Sequence, residues 1–317
     1  SCLSKTGCCV ATRDDRAQQY RQAEQALWTH YGLRPKEHVV EIDQPHAHLR
    51  VQELGSGPPM LFLHGTGGIG PMWGPLLREL PDYRCLLLDR PGWGMSSSID
   101  YTRREYKVLV ADVANATLDA LGVDTTHVVG ASIGDVWALG LGAAQPARVD
   151  KIVLLGGGPV ISDVPVPRFI RMFASPVGAI MVRLKDNAKR TRSILRSIGH
   201  GASLDAGRIP DEYIRWRVTL GNTTDSMRHE RDMVRAIVKG GSFRPGLTFT
   251  ESELAGIKQP TLLVYGTADK TAPVRVWQRL VDVLPHGELH LIEDGGHLPW
   301  LDDPAQVGGR IKRFLGS

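Results

Sequence analysis

A serine hydroxyl is a poor nucleophile at neutral pH unless a base, an acid that orients the base, and donors for the developing oxyanion surround it. Four short segments of this 317-residue chain offer those parts. Gly130-Ala131-Ser132-Ile133-Gly134 follows the apolar run His127-Val128-Val129 and precedes Asp135-Val136-Trp137-Ala138-Leu139, a helix-forming stretch. Glycines on both sides of the serine permit a sharp turn from strand to helix that lifts its side chain above a sheet. The helix start behind it offers free N–H groups and a partial positive charge to an anion. Leu61-Phe62-Leu63 ends in His64-Gly65-Thr66-Gly67-Gly68, a loop of the kind that carries a second oxyanion donor. Leu262-Leu263-Val264-Tyr265 leads into Gly266-Thr267-Ala268-Asp269, and Ile292-Glu293-Asp294-Gly295-Gly296 ends at His297. We therefore expect Ser132 as nucleophile, His297 as base, Asp269 as its orienting acid, and the N–H groups of Thr66 and Ile133 as the oxyanion hole. One Gly-x-Ser-x-Gly among 35 glycines means little, but four fitting elements at four strand ends mean much more.

The elements that must position these residues follow from the hydrophobic pattern. Short continuous apolar runs at 60–63, 85–88, 127–129, 151–155, 260–265 and 288–292 each end in a polar or glycine-rich loop. Such runs suit strands buried on both faces of a parallel sheet, and their alternation with helical stretches predicts an α/β fold with a mostly parallel, eight-stranded sheet. Ligands of such sheets bind at the carboxyl ends of the strands, where all four segments lie. Ahead of the core, 14–31 is rich in helix formers and stops at Gly32, and 38–42 with 48–53 reads as an edge hairpin. Between 159 and 250 the alternation ceases, and helices are expected at 166–174, 178–196, 210–220 and 224–238. The predicted organisation is an N-terminal extension (1–36), a core (37–158 and 251–317) and an inserted helical lid (159–250).

Composition excludes little. With 42% hydrophobic residues, 23% charged ones and a net charge of +4, the chain is that of an ordinary globular protein, and nothing calls for a nucleic-acid partner. Cys2, Cys8, Cys9 and Cys85 show no zinc-ligand spacing with histidines, so no metal and no cofactor is expected, and Cys85 reads as a buried thiol. No stretch has the length of a secretory signal core or a membrane span, which predicts a cytoplasmic location without membrane insertion. Eight Lys or Arg against one acid, Asp186, between 168 and 196 form a solvated face or an attraction for anionic substrates, partners or membranes.

From residue 37 to 315 the sequence resembles the α/β-hydrolase superfamily, in its lidded branch of carboxylesterases, meta-cleavage carbon–carbon hydrolases and cofactor-free haloperoxidases. The likeness rests on His64-Gly65-Thr66-Gly67, Asp89-Arg90-Pro91-Gly92-Trp93-Gly94, the serine turn, Gly266-Thr267-Ala268-Asp269 and Gly295-Gly296-His297-Leu298-Pro299. Many relatives have a second glycine where this chain has Asp135. The resemblance also admits Asp163 as the acid, since some relatives place it after the preceding strand; Asp294, on the base's own loop, suits the role poorly. It gives His64 the task of bracing its loop and Asp89-Arg90 that of organising theirs. His127, His200, His229, His286 and His290 read as surface or packing residues. Trp73, Trp137, Phe173 and Trp300 lie near the motif loops or in the lid and are expected to line a pocket for a hydrophobic small molecule. The first functional reading is hydrolysis of a carboxylic ester, lactone or thioester. The alternatives are hydrolysis of a carbon–carbon bond in a vinylogous diketone by the same triad, or a ligand-binding receptor with slow turnover. Oligomeric state is not legible.

Overall fold

The computed structural model describes residues 12–162 and 164–316. Cys2, Cys8, Cys9 and the alternative acid Asp163 lie outside the described residues, while Cys85 is buried and free. Helix α1 (Arg13–Tyr31) starts with a capping box between Thr12 and Asp15 and stops at Gly32, whose φ of 69° is the left-handed conformation that glycine adopts without strain. Strands β1 (Lys36–Asp43) and β2 (His46–Leu54) form the expected antiparallel edge hairpin.

Then follow β3 (Pro59–Leu63), the short helix α2 (Gly74–Leu77), β4 (Arg84–Leu88), α3 (Tyr106–Ala120), β5 (Thr126–Ala131), α4 (Ile133–Ala144) and β6 (Val149–Leu155). After β6 comes a helical insert: α5 (Arg168–Ala174), α6 (Pro176–Met181), α7 (Ala188–Ser197), α8 (Gly201–Asp205), α9 (Asp211–Thr223) and α10 (Ser226–Ile237). A small hairpin of β7 (Val238–Lys239) and β8 (Ser242–Phe243) closes it, and the chain returns through α11 (Glu251–Gly256), β9 (Thr261–Gly266), α12 (Val274–Val283), β10 (Gly287–Ile292) and α13 (Pro304–Leu315). The main sheet has the order β1-β2-β4-β3-β5-β6-β9-β10, parallel from β4 to β10.

Strands β3, β5, β6 and β9 bury nearly every residue because helices cover both faces, which is why they read as unbroken apolar runs. The insert departs from expectation between 178 and 196, where one helix becomes two. Asn187 supplies the break, its side chain capping α7 by accepting the Arg190 N–H at 2.9 Å.

Helix α1 is fastened from both sides. Along its inner face Tyr20, Leu27, Trp28 and Tyr31 are buried, and it packs on α9 of the insert. From the core, the buried guanidinium of Arg50 on β2 donates to Glu24 of α1 at 2.6 and 2.8 Å, to Glu37 at 2.8 Å, and faces Asp89 at 3.5 Å. Burial pushes the Asp89 carboxyl up to about 7 despite the pull of Arg50. An Arg50→Met substitution would leave Glu24 and Asp89 without their counter-charge in the interior, whereas Glu37 keeps Arg21. We expect a loss of about 3–5 kcal/mol in urea-induced unfolding, the cost of stripping one partner from a buried pair.

Candidate active site

Ser132 occupies the corner between β5 and α4 with φ 54° and ψ −121°, a left-handed conformation that a non-glycine residue holds only under constraint. The constraint is backbone crowding. A Cβ on Gly130 would come within 2.6 Å of Gly134 O, and one on Gly134 within 2.0 Å of Leu63 O. On Gly65 it would lie 2.9 Å from the Ser132 Cβ, and on Gly158 1.9 Å from Ser132 O. The loops after β3 and β6 thus grip the serine turn directly. Ile133 opens α4, where N–H groups have no intrahelical partner, and the Thr66 loop stands against the serine through Gly65.

His297 and Asp269, expected as base and orienting acid, are brought together by the structure. His297 Nδ1 lies 2.7 Å from Asp269 Oδ2, and Asp269 Oδ1 accepts the Thr271 N–H at 2.8 Å. With Nδ1–H given to the carboxylate, Nε2 is left to take a proton. Asp294, expected to suit the role poorly, is exposed and its N–H donates to Thr267 Oγ1, so Asp269 alone among the described carboxylates engages His297. Nucleophile and base stand on either side of Gly156-Gly157-Gly158: a Cβ at 156 would meet His297 O at 1.9 Å and one at 158 would meet Ser132 O. Among the described residues no hydrogen bond joins Ser132 to His297, as is common before substrate draws such groups together.

His64 braces its loop rather than reacting. It is fully buried, its Nε2 accepts the Arg90 N–H at 2.9 Å and its Nδ1 faces Gly65 O at 2.8 Å. Burial, helped by Arg90, holds its pKa well below the usual imidazole range, so it stays neutral. Trp73 and Trp300 stack on each other at 4.6 Å, and the indole N–H of Trp137 donates to Tyr106 OH at 3.0 Å. All three are buried, so the structure gives these rings interior packing partners; Phe173 is buried in the insert.

Three functional candidates escaped the sequence reading. His200, taken there for a surface or packing residue, is fully buried between the insert and the base loop. Its Nε2 accepts the Leu298 N–H at 3.1 Å and its Nδ1 lies 2.9 Å from Asp302, which also accepts the Gly296 N–H at 2.7 Å. The neighbouring Ile198 carbonyl accepts the His297 N–H at 2.9 Å. Glu230 of α10 is buried against the oxyanion loop, accepting from the Thr66 hydroxyl, from Trp93 Nε1 at 2.5 Å and from Arg90 at 3.4 Å. Arg217 of α9 presses its guanidinium on the same loop, 2.5 Å from where a Gly67 Cβ would sit, with Tyr213 as its polar neighbour at 3.5 Å. Each is a polar side chain of the insert that meets a loop distant in the chain: His200 the loop of His297, Glu230 and Arg217 that of Thr66 and Gly67.

Asp135 is buried beside the serine, where its Oδ2 accepts the Gly158 N–H at 2.8 Å. Burial pushes this carboxyl well above its usual value of 3.8. A carboxyl raised in the folded state favours folding most when protonated, so its contribution fades as pH climbs from the ordinary range through the raised value. Asp135→Asn keeps an acceptor for Gly158 and removes the titration. The variant should gain stability relative to wild type in urea unfolding as pH rises above the ordinary carboxylate range, and a difference constant with pH would refute the raised carboxyl.

With this geometry in place, similarity to known proteins can be weighed. The family model described as Alpha/beta hydrolase family matches residues 60–309. A 2-hydroxy-6-oxononadienedioate/2-hydroxy-6-oxononatrienedioate hydrolase of Paraburkholderia phymatum is 30% identical over 273 residues, 84% of this chain and 90% of that protein. A 2-hydroxy-6-oxo-6-phenylhexa-2,4-dienoate hydrolase of Burkholderia cepacia is 26% identical, over 78% of this chain and 84% of that one. Among solved structures, a carboxylesterase of Bacillus subtilis superposes with a TM-score of 0.76 at 20% identity, covering 95% of this chain and 98% of its own. For a meta-cleavage product hydrolase of Pseudomonas fluorescens the values are 0.70, 19%, 89% and 97%. The two superpositions speak to the fold.

Proposed function

The chain belongs to the alpha/beta hydrolase family, and from that premise we propose that it is a serine-dependent hydrolase that cleaves a carbon–carbon bond in a carboxylate-bearing vinylogous diketone. The observation that carries this reading is Arg217. A guanidinium set against the oxyanion loop, with no acid paired to it among the described residues, is suited to a substrate carboxylate, which it can grip with two parallel hydrogen bonds. The relatives at 26–30% identity are named for dienoates and dienedioates, substrates that bring such a carboxylate and a 6-oxo group. An uncharged ester would leave Arg217 without a partner, so the carbon–carbon reading is better supported than the ester reading that the sequence put first.

In the proposed reaction the 2-hydroxydiene first ketonises, its hydroxyl proton passing to solvent and a proton being taken up at C5, which gives the 2,6-dioxo-3-ene. Ser132 Oγ then adds to the 6-oxo carbon while His297 Nε2 takes its proton, and the oxyanion rests on the Thr66 and Ile133 N–H groups. Collapse of the adduct breaks the bond to the adjacent carbon. The electron pair runs through the conjugated chain to the 2-oxo oxygen, and protonated His297 returns its proton to the departing fragment. Water then hydrolyses the acyl-serine, with His297 again as base. Asp269 keeps Nδ1 protonated and the ring aligned throughout.

The test is turnover of 2-hydroxy-6-oxonona-2,4-dienedioate, followed by loss of the dienol absorbance, against a panel of p-nitrophenyl esters. Ser132→Ala should lower kcat by at least about a thousandfold on both. Arg217→Ala should lower kcat/KM for the dienedioate by roughly 30-fold, as for a lost charged hydrogen bond, and leave the neutral esters within about threefold. Faster turnover of esters than of the dienedioate, with no Arg217 effect, would return the assignment to an esterase.

A further inference from the structure

The outer layer of the insert breaks the rule that a helix turns its polar side to water. Helices α5 and α6 pack on α10 with Phe173 and Gly178 inward, and Arg231 of α10 pins the corner between them by donating to Ser175 O at 3.0 Å. A Cβ on Gly178 would meet Phe173 O at 1.9 Å, so the two short helices are seated too closely to roll. Their opposite side therefore faces outward, and it is apolar. Phe169 (51% exposed), Met172, Val177, Ile180 (61%) and Leu184 (58%) all stand in solvent within sixteen consecutive residues. Five large apolar side chains gathered in this way, rather than scattered singly, mark a surface meant to be covered.

Charge selects what covers it. Arg168, Arg171, Arg183 and Lys185 flank the apolar side chains and are exposed, and among the described residues none of the four is in an ion pair. A second copy of this chain would bring like charge to like charge if it docked through the same face. A surface that receives both kinds of side chain is an anionic bilayer: apolar tips enter the acyl boundary while the basic residues stay among phosphates. We propose that α5 and α6 form a peripheral docking face for anionic lipid membranes. Residence is reversible and interfacial, because no helix among the described residues is long and apolar enough to cross a membrane. The inference is independent of which bond the enzyme cleaves.

Co-flotation of the whole protein with vesicles tests it, using phosphatidylcholine alone and phosphatidylcholine with about a quarter phosphatidylglycerol, at about 50 and about 500 mM salt. Wild type should float with the anionic vesicles at low salt and be released at high salt. The triple variant Arg168→Gln, Arg171→Gln, Arg183→Gln should lose affinity by roughly fivefold for each charge removed. The double variant Ile180→Ser, Leu184→Ser should lose at least about tenfold while remaining anion-selective. Both should react with a fluorophosphonate at the wild-type rate, and the fully exposed charge variant stands as the deciding arm if the apolar one does not fold. No flotation at low salt, or equal binding to both vesicle types, would overturn the proposal. So would a wild-type dimer in light scattering that Ile180→Ser, Leu184→Ser dissociates without changing vesicle binding, since the face would then belong to a second copy.

Discussion

Crowding around one residue organises this molecule. Ser132 sits in a left-handed conformation that its own chain would not choose, and it stays there because the glycines on either side of it and backbone from two other segments leave it nowhere to relax. Gly65 after β3, Gly130 and Gly134 on either side, and Gly158 after β6 approach so closely that a single methyl group at any of them would collide. The sheet order places β3, β5 and β6 side by side, so these loops converge without long excursions. Ser132 is thereby held by main chain rather than by side-chain contacts, which fixes its position relative to the Thr66 and Ile133 N–H groups proposed as oxyanion donors.

The loops of His297 and Thr66 are held differently, by side chains of the insert. The insert sends Ile198 and His200 to the loop that carries His297, and Glu230 to the loop that carries Thr66. His200 is as buried as any apolar core residue, and Asp302 fixes which of its nitrogens carries the proton. Glu230 gathers a hydroxyl, an indole N–H and a guanidinium, the donors that satisfy its carboxyl oxygens in the interior. Through Arg50 and α9, helix α1 in turn ties the insert to the sheet edge.

Much of this was legible in the residues. The strands were, because burial on both faces writes itself as unbroken Val, Leu and Ile. The pairing of Asp269 with His297 was, because each acid or base directly follows such a run. The split of 178–196 into two helices was missed because Asn187 caps from within a stretch whose composition still favours helix. His200 and Glu230 were missed because nothing nearby in the chain explains them. A trace of Glu230 is present all the same: Ser226, Glu230, Met233 and Ile237 fall on one buried stripe of α10, and an acid on an apolar stripe asks for a partner. Trp73 and Trp300 were named for their proximity in sequence to the motif loops, and in the structure they stack on each other in the interior.

The clamp between His200 and Asp302 bears on how such enzymes can be rebuilt. Inserts of this kind invite treatment as exchangeable modules, to be traded between cores in order to change what enters the site. Here the boundary of the module does not coincide with the ends of the insert, because part of the support for the base is carried on it. A transplanted insert would have to bring its own histidine to Asp302 and its own carbonyl to the His297 N–H, or the recipient core would lose alignment at the base while keeping its serine intact.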